Sequence, residues 1–595
     1  MRVLDSRRLT GPSLLLDGPG AILDLALEGA DPERATLAWN LARSFLLIAL
    51  GWRAWDPDAE STGSAVRKHK DGLSLAFAAH PDALYTATEI NEEAWRWAAD
   101  ALARGALPEK REIPVEVVRR LRTALERERK PWVTRLAAEA ARQGVTMLLD
   151  DKRVSVGLGV GSRVWPVEET ANIAGRIPWA EMRDIPVALV TGTNGKTTTV
   201  RLLGAMAQAA GLTAGVTSTD GVSVGDDVVA IGDYSGPNGA RTVLRDRRVE
   251  VGILEVARGG ILRRGLGVAR ARAALVTNVA SDRLGEYGIE DLDALADVKM
   301  VVSKAVAGTG RVVQNADDER LWARGSGVRA PVIWFTLDAL DHGVAAHRRR
   351  GGEACVLEGD TLVFVRGAET ETIPLAKVAE IPIAFGGAAR HNVANALGAV
   401  GVAMALGWPI AAIREGLRRF ESSPEANPGR ANLWRLGGLT AVVDFAHNPH
   451  GLRALAAMAA AMPARRRAIV IGQAGDRDDD AIREFARTAW AIHPARVFIK
   501  EMEPFLRGRD RGVVPAMIEA ELRMLGAPAD SLAHSDTELD AVRAALAWGR
   551  DGDLLLLTTH AQRPEVIALV AHLAESGWTP GQPLPRRVRQ SLPVR

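Results

Sequence analysis

Cysteine is almost absent: Cys355 stands alone among 595 residues. One thiol excludes an internal disulfide framework and any zinc site built on cysteines, and Cys355 reads as a structural bystander. Net charge is nearly absent too, +2 from 75 basic and 73 acidic side chains, so nothing points to nucleic acid. Long apolar runs are missing. The stretch 44–50 is far too short to span a bilayer, and residues 1–12 lack the apolar core of a signal peptide. What is present is an ordinary soluble composition, 47% hydrophobic and 25% charged. A cytoplasmic protein with no membrane partner is expected, of roughly three or four domains.

The texture changes along the chain. Residues 1–165 read as an α+β unit, with short strands at 3–4, 14–16 and 21–27 and helices at 32–50, 89–103, 115–129 and 133–142. The cluster Arg67-Lys68-His69-Lys70 reads as a solvated loop, with an anion site as the alternative. From about residue 186, apolar runs at 187–190, 251–254, 274–277 and 312–314 alternate with helices such as 200–210 and 290–307. That is the grammar of a mostly parallel sheet. It defines a central domain at 166–424, with a β-rich insertion at about 325–383. A stretch poor in apolar residues, 420–429, reads as a hinge. Strands at 441–443, 468–471, 496–499 and 553–557 then predict an α/β, Rossmann-like C-terminal domain at 425–582. The tail, 583–595, is expected to be loosely ordered. The fold class is therefore α/β multidomain.

The most informative stretch is Thr191-Gly192-Thr193-Asn194-Gly195-Lys196-Thr197-Thr198-Thr199, between an apolar strand and a helical pattern. Backbone N–H groups of such a turn and of a helix N-terminus face an anion. Gly192 and Gly195 allow close approach, Lys196 adds a point charge, and Thr197 offers a hydroxyl to Mg²⁺. Residues 192–198, including Thr198, therefore predict a site for a nucleoside triphosphate, ATP with Mg²⁺. An ordinary strand–turn–helix corner would explain the glycines but neither the lysine nor the threonines. Glu255 closes the run 251–254, at the carboxyl end of a strand, where ligands gather. It is the second candidate metal ligand beside Thr197; a carboxylate facing Arg258 is the alternative. Asn392 and Asn395 are three apart on a predicted helix and could read an adenine edge, although helix capping explains Asn392 equally.

The loop has the short form Gly-x-x-Gly-Lys-Thr-Thr-Thr, with Val190 where the longer form has a glycine. That form resembles the Mur ligases, enzymes that join an amine to a carboxylate with ATP. Residues 255–266 and 233–241 closely resemble segments of the cyanophycin synthetases, whose C-terminal half is a Mur-type module. Residues 8–12 and 154–159 are similar to that family's N-terminal domain. Only about thirty residues separate 159 from the phosphate loop, too few for the ATP-grasp domain found there in that family. The resemblance implies further roles. Lys299 is expected to be a carbamylated metal-facing lysine, or a surface helix lysine. The segment 391–395 matches the His-Asn-x-x-Asn element. Arg430 and His447 would meet the transferring phosphoryl or acyl-phosphate, and Asp444 the ribose. Residues 475–478 would border the amine. Glu501 and Glu503 could pair a cationic substrate or be exposed charges. Arg283 stands where the family has a histidine, which puts a second metal contact in question.

These readings predict an ADP-forming carboxylate–amine ligase working through an acyl-phosphate, with Lys196, Glu255, Lys299, Arg430 and His447 catalytic. Its substrates would be a small acidic molecule or peptide and an amino acid or other amine, and the resemblance implies a homo-oligomer. Arg283 motivates the alternative, a nucleotide-binding protein without ligase activity. A folylpolyglutamate-type enzyme is the third reading; the arginine–glycine segments 258–265 and 506–509 argue against it.

Overall fold

The computed structural model describes residues 1–52, 63–173, 176–367 and 371–585. Most of the expected loose tail, residues 586–595, lies outside them.

The N-terminal unit is a four-stranded antiparallel sheet. Its strands are Arg2–Leu9, Gly20–Ala26, Gly72–Ala78 and Ser64–His69, in that spatial order. Two long helices, Pro32–Leu50 and Leu84–Ala103, cover one face. Strand residues alternate across a sheet, so Leu23, Leu25, Leu73 and Leu75 meet Trp39, Leu46 and Trp95 in one core. The buried Trp39 indole donates to Asn91 at 2.8 Å, and Asn91 donates to the Leu75 carbonyl at 3.0 Å, so the polar atoms are satisfied.

Two expectations fail here. Residues 14–16 form no strand. Arg67, Lys68 and His69 are not a loop but the end of strand Ser64–His69, paired antiparallel with Gly72–Ala78. Cross-strand pairing with an apolar partner strand overrode their polarity. A small three-stranded sheet, Met147–Leu149, Arg153–Val156 and Arg163–Pro166, leads into the central domain.

The central domain is one eleven-stranded sheet. Strand Val187–Thr191 lies between Val251–Glu255 and Ala271–Val276, parallel to both. The first two are buried along their whole length, which is why they read as unbroken apolar runs. Helices Lys196–Ala209 and Arg390–Ala405 pack on one face, with Leu203, Met206, Leu397 and Val400 in the shared core. The helix expected at 290–307 ends early: Leu292–Met300 gives way to a 3₁₀ turn, and Val306 begins a strand. In the β-rich stretch expected at about 325–383, strands Val332–Thr336, Glu353–Glu358, Thr361–Arg366 and Glu371–Lys377 extend the same sheet. Cys355 is buried there, and burial pushes its thiol up.

The linker after Phe420 is knit by Asn432, whose amide donates to the Ser422 and Asn427 carbonyls at 2.7 and 3.0 Å. The C-terminal domain is a six-stranded sheet ordered Asn432–Leu436, Leu439–Asp444, Leu554–Thr558, Arg467–Ile471, Arg496–Lys500 and Leu532–Ser535. Only the first pair is antiparallel. Among the described residues, no helix is long and apolar enough to cross a membrane.

Candidate functional site

The carboxyl ends of the two main sheets face each other across one cavity of about 1430 Å³. At its floor is the loop after strand Val187–Thr191. Gly192 and Gly195 have φ of 146° and 85°, a region where a Cβ is penalised. A Cβ on Gly192 would meet the Thr277 hydroxyl at 1.8 Å, and one on Gly195 would meet Asn395 Oδ1 at 2.1 Å. Helix Lys196–Ala209 starts at Gly195 with no side-chain cap. Its first-turn N–H groups, including those of Thr197 and Thr198, carry the helix's positive end. The cradle is narrower than the sequence predicts. Thr193 N–H is spent on the Asn278 carbonyl at 2.9 Å, and Asn194 N–H on Asn278 Oδ1 at 3.0 Å. Lys196 Nζ folds back onto the Gly192 and Thr193 carbonyls at 3.0 and 2.9 Å.

Glu255 closes its strand at 2% exposure and accepts the Thr197 hydroxyl at 2.9 Å. Its other oxygen is buried without a partner. Burial pushes the carboxyl up, against the pull of Lys196. Arg258, its alternative partner, pairs with Glu286 instead. Lys299 is not a surface lysine: it is 2% exposed, and burial followed by the charge of Lys196 holds its ammonium well below the usual range. Among the described residues, no three His, Cys, Asp or Glu side chains gather to hold a metal unaided. A hydroxyl beside a carboxylate with an orphan oxygen does fit a hard divalent cation that takes its remaining ligands from water or phosphate.

The C-terminal domain supplies the opposite side. The Arg430 guanidinium lies 4.6 Å over the Phe445 ring and donates to the Gly429 carbonyl at 3.2 Å. Asp444 ends strand Leu439–Asp444, and its two oxygens accept the N–H groups of Ala431 and Ala446, both at 2.8 Å. His447 Nε2 lies 3.8 Å from Asp282 of the central domain, and Arg477 Nη1 lies 2.7 Å from it. Burial would raise the Asp282 carboxyl, but His447 and Arg477 outweigh it and hold it well below the usual range. Asn194 and Asn448 exchange amide hydrogen bonds, each 3.1 Å, and Asn194 also meets His450 at 2.9 Å. Asp220 pairs with Arg201 at 3.0 Å and with Arg563 of the C-terminal domain at 2.6 Å.

Other expectations shift. The N-cap position of helix Arg390–Ala405 falls on Ala389, with no side-chain cap, so Asn392, inside the first turn, is no cap. Asn392 donates to the Ile383 carbonyl at 2.9 Å and accepts from Asn395 at 3.1 Å. The pair braces the Gly195 turn while lining the cavity. Glu501 is neither exposed nor open to a cationic ligand: it is buried and accepts the N–H groups of Met502 and Gly512 at 2.8 and 2.6 Å. Glu503 is exposed. Arg507 and Arg509 are occupied by the 475–478 turn, through Asp476 and the Gly475 and Arg477 carbonyls. Arg283 is exposed at the cavity rim with φ of 51°. Asp220, Asp282 and Arg563 were given no role, and Arg477, read within 475–478 as bordering the amine, is instead paired with Asp282. Asp220 follows strand Ala214–Thr217, so the carboxyl-end rule could have found it. Arg563 opens a helix more than 340 residues away in sequence, and nothing local marks it.

Known families match this layout. Residues 190–403 match the Mur ligase middle domain, and residues 429–560 the Mur ligase, glutamate ligase domain. The centre and the C-terminal part of this chain are Mur ligase domains. The chain is 41% identical over 352 residues to the cyanophycin synthetase of Trichormus variabilis, covering 58% of this chain and 39% of that protein. It is 28% identical over 396 residues to the UDP-N-acetylmuramoyl-L-alanyl-D-glutamate–2,6-diaminopimelate ligase of Chlorobaculum tepidum, covering 65% and 74%. The chain thus spans about two fifths of the length of the cyanophycin synthetases it matches. Among solved structures, E. coli FolC with DHPP and ADP superposes at TM-score 0.48 with 20% identity, over 74% of this chain and 98% of that one. In Mur-ligase terms, the phosphate loop, Glu255, Lys299 and Asn395 belong to the middle domain, and Arg430, Asp444 and His447 to the glutamate ligase domain.

Proposed function

We propose that this chain is an ATP-dependent carboxylate–amine ligase: ATP phosphorylates a carboxylate, an amine displaces the phosphate, and an amide, ADP and phosphate result. One observation carries the reading. The Thr197–Glu255 pair sits beside Lys196 under an uncapped helix N-terminus, and Arg430 of a second domain lines the same cavity. Phosphoryl transfer asks a protein for positioning and positive charge, not for a nucleophile. Thr197 and Glu255 would hold Mg²⁺, which when bound neutralises charge on the phosphates. Lys196 would exchange its loop carbonyls for phosphate oxygens. Arg430, kept in place by Phe445, would face the charge that develops in transfer. Lys299, whose ammonium form is disfavoured by burial, is suited to add CO₂ at Nζ with loss of a proton, which would make it a carbamate. Asp444 would take the ribose, Asn395 would lie beside the nucleotide, and His447 would meet the acyl-phosphate. The Asp220–Arg563 and Asn194–Asn448 contacts support closure over the reacting groups, which keeps water from the acyl-phosphate. Arg263 and Arg264 line the same cavity and favour an acidic substrate, which an amino acid would join as the amine.

Arg283 at the rim keeps a second reading in view: nucleotide binding without turnover. The test is ADP release by the purified chain over a panel of acidic peptides and amino acids, with the products weighed by mass spectrometry. Substrate-dependent ADP together with a condensation mass supports the ligase. AMP-PNP binding with no turnover across the panel rejects it in favour of the second reading.

A further inference from the structure

Another part of the cavity lining comes from helix Arg258–Arg264, which follows strand Val251–Glu255, and from Arg283 and Glu286 of the next loop. Three arginines of the helix reach it, and they are not equivalent. Arg258 is spent on Glu286, bonding its carboxylate at 2.9 Å and its carbonyl at 3.2 Å. Arg264 leans on the N-terminal unit, with Nη1 3.4 Å from the Arg8 carbonyl. Arg263 hydrogen-bonds a neutral group, its Nε donating to the Tyr287 hydroxyl at 3.0 Å, and the carboxylates of Glu286 and Asp5 act on it by charge without a bond. A hydroxyl orients a guanidinium without cancelling its charge, and leaves the rest of the planar fork for a carboxylate.

Tyr287 is in turn held from behind. Its backbone is left-handed, φ 56°, a conformation a bulky residue keeps only where its surroundings hold it. The Arg7 guanidinium lies 4.5 Å over its ring. Arg7, 7% exposed, belongs to the first strand of the N-terminal unit, where it pairs with Asp5 and Asp24. Its Nε donates to the Leu262 carbonyl at 2.8 Å, one residue before Arg263. More of that unit grips the same segment. Arg67 donates to the Gly288 carbonyl at 2.8 Å, Thr10 N–H to the Arg264 carbonyl at 2.7 Å, and Leu266 N–H to the Pro12 carbonyl at 2.7 Å.

We propose that Arg263 is a substrate-carboxylate contact aimed by Tyr287 and Arg7, so that the N-terminal unit completes the acceptor side of the cavity. The proposal rests on the reading that this cavity takes an acidic substrate. Arg263 is the contact; Tyr287 and Arg7 are positioning residues, acting through it.

The test is calorimetric titration of the full chain with tri-aspartate, tri-asparagine and AMP-PNP. Wild type is expected to bind tri-aspartate more tightly than tri-asparagine. Arg263→Ala should weaken tri-aspartate about tenfold or more, since a charge-assisted contact is lost, and Arg263→Lys should recover part of it. Tyr287→Phe keeps the ring under Arg7 and removes only the hydroxyl, so the protein should fold normally and lose about threefold to tenfold for tri-aspartate alone. AMP-PNP and tri-asparagine affinities should not move. Wild-type-like tri-aspartate binding in Arg263→Ala or Tyr287→Phe overturns the proposal and leaves the acidic-substrate reading standing. Equal losses for both peptides overturn it as well, because they mean a distorted wall. No tri-aspartate binding by wild type overturns the acidic-substrate reading and this proposal together, while ligase activity is decided separately by ADP release.

Discussion

The two sides of the cavity are built differently. The phosphate loop is set by its own strand, its own glycines and neighbours in the same sheet: Thr277 donates to the Asn194 carbonyl at 2.6 Å, and Thr193 bonds the Ala280 carbonyl at 3.0 Å. The arginine side is set by a different folding unit, through Arg7, Thr10 and Pro12, some 250 residues earlier in the chain. A local device can be moved between proteins as a unit. A wall held from outside depends on the docking of its neighbour, and its specificity can change without any residue in the cavity changing.

Three substitutions bear on this contrast. Lys196→Ala strikes the local side and should be the most severe, lowering ADP formation about a thousandfold or more, as loss of a preorganised charge does at a transition state. Calorimetric melting should shift only modestly, because Lys196 contributes to the fold two hydrogen bonds to loop carbonyls and the pull of its charge on the buried Glu255. A wild-type rate would mean the loop does not serve catalysis. Arg283→His acts at the rim, on an exposed side chain, and turnover should stay within about threefold of wild type or improve. A collapse would give Arg283 a role of its own. His391→Gln should be mildest for turnover and is read in pH instead. Burial, then the neighbouring His450, pushes His391 down to about 4. An unfolded histidine titrates near 6.5, so between about pH 6.5 and 4 the unfolded chain binds more protons, and stability falls with falling pH. The variant should flatten the melting temperature over that window, and an unchanged slope would assign the acid sensitivity elsewhere.

The same contrast explains what could be read in advance. Glycines, lysine and threonines at fixed offsets announce a phosphate cradle because the geometry is local. Glu255 was legible because strand ends in such sheets are predictable. Asn194 shows the limit: its place in the motif suggested phosphate, yet its side chain reaches Asn448 and its N–H reaches Asn278. Arg67 to Lys70 looked like solvated loop because the apolar partner strand that pairs with it lies in the next segment. Glu501 looked like a site for a cation until two backbone donors filled both its oxygens. Tyr287 carried no signal at all, since its importance lies in a backbone conformation and in a contact made across domains.

The amide pair Asn194–Asn448 has a kinetic consequence. The residue beside Gly195 is also a clasp for the C-terminal domain. The clasp is uncharged and the Asp220–Arg563 pair is mostly buried, so salt screens neither contact strongly. On the proposed ligase reading, a nucleotide could leave only after this clasp opens, and the clasp's dwell time would then set a ceiling on turnover, however fast bonds are made inside.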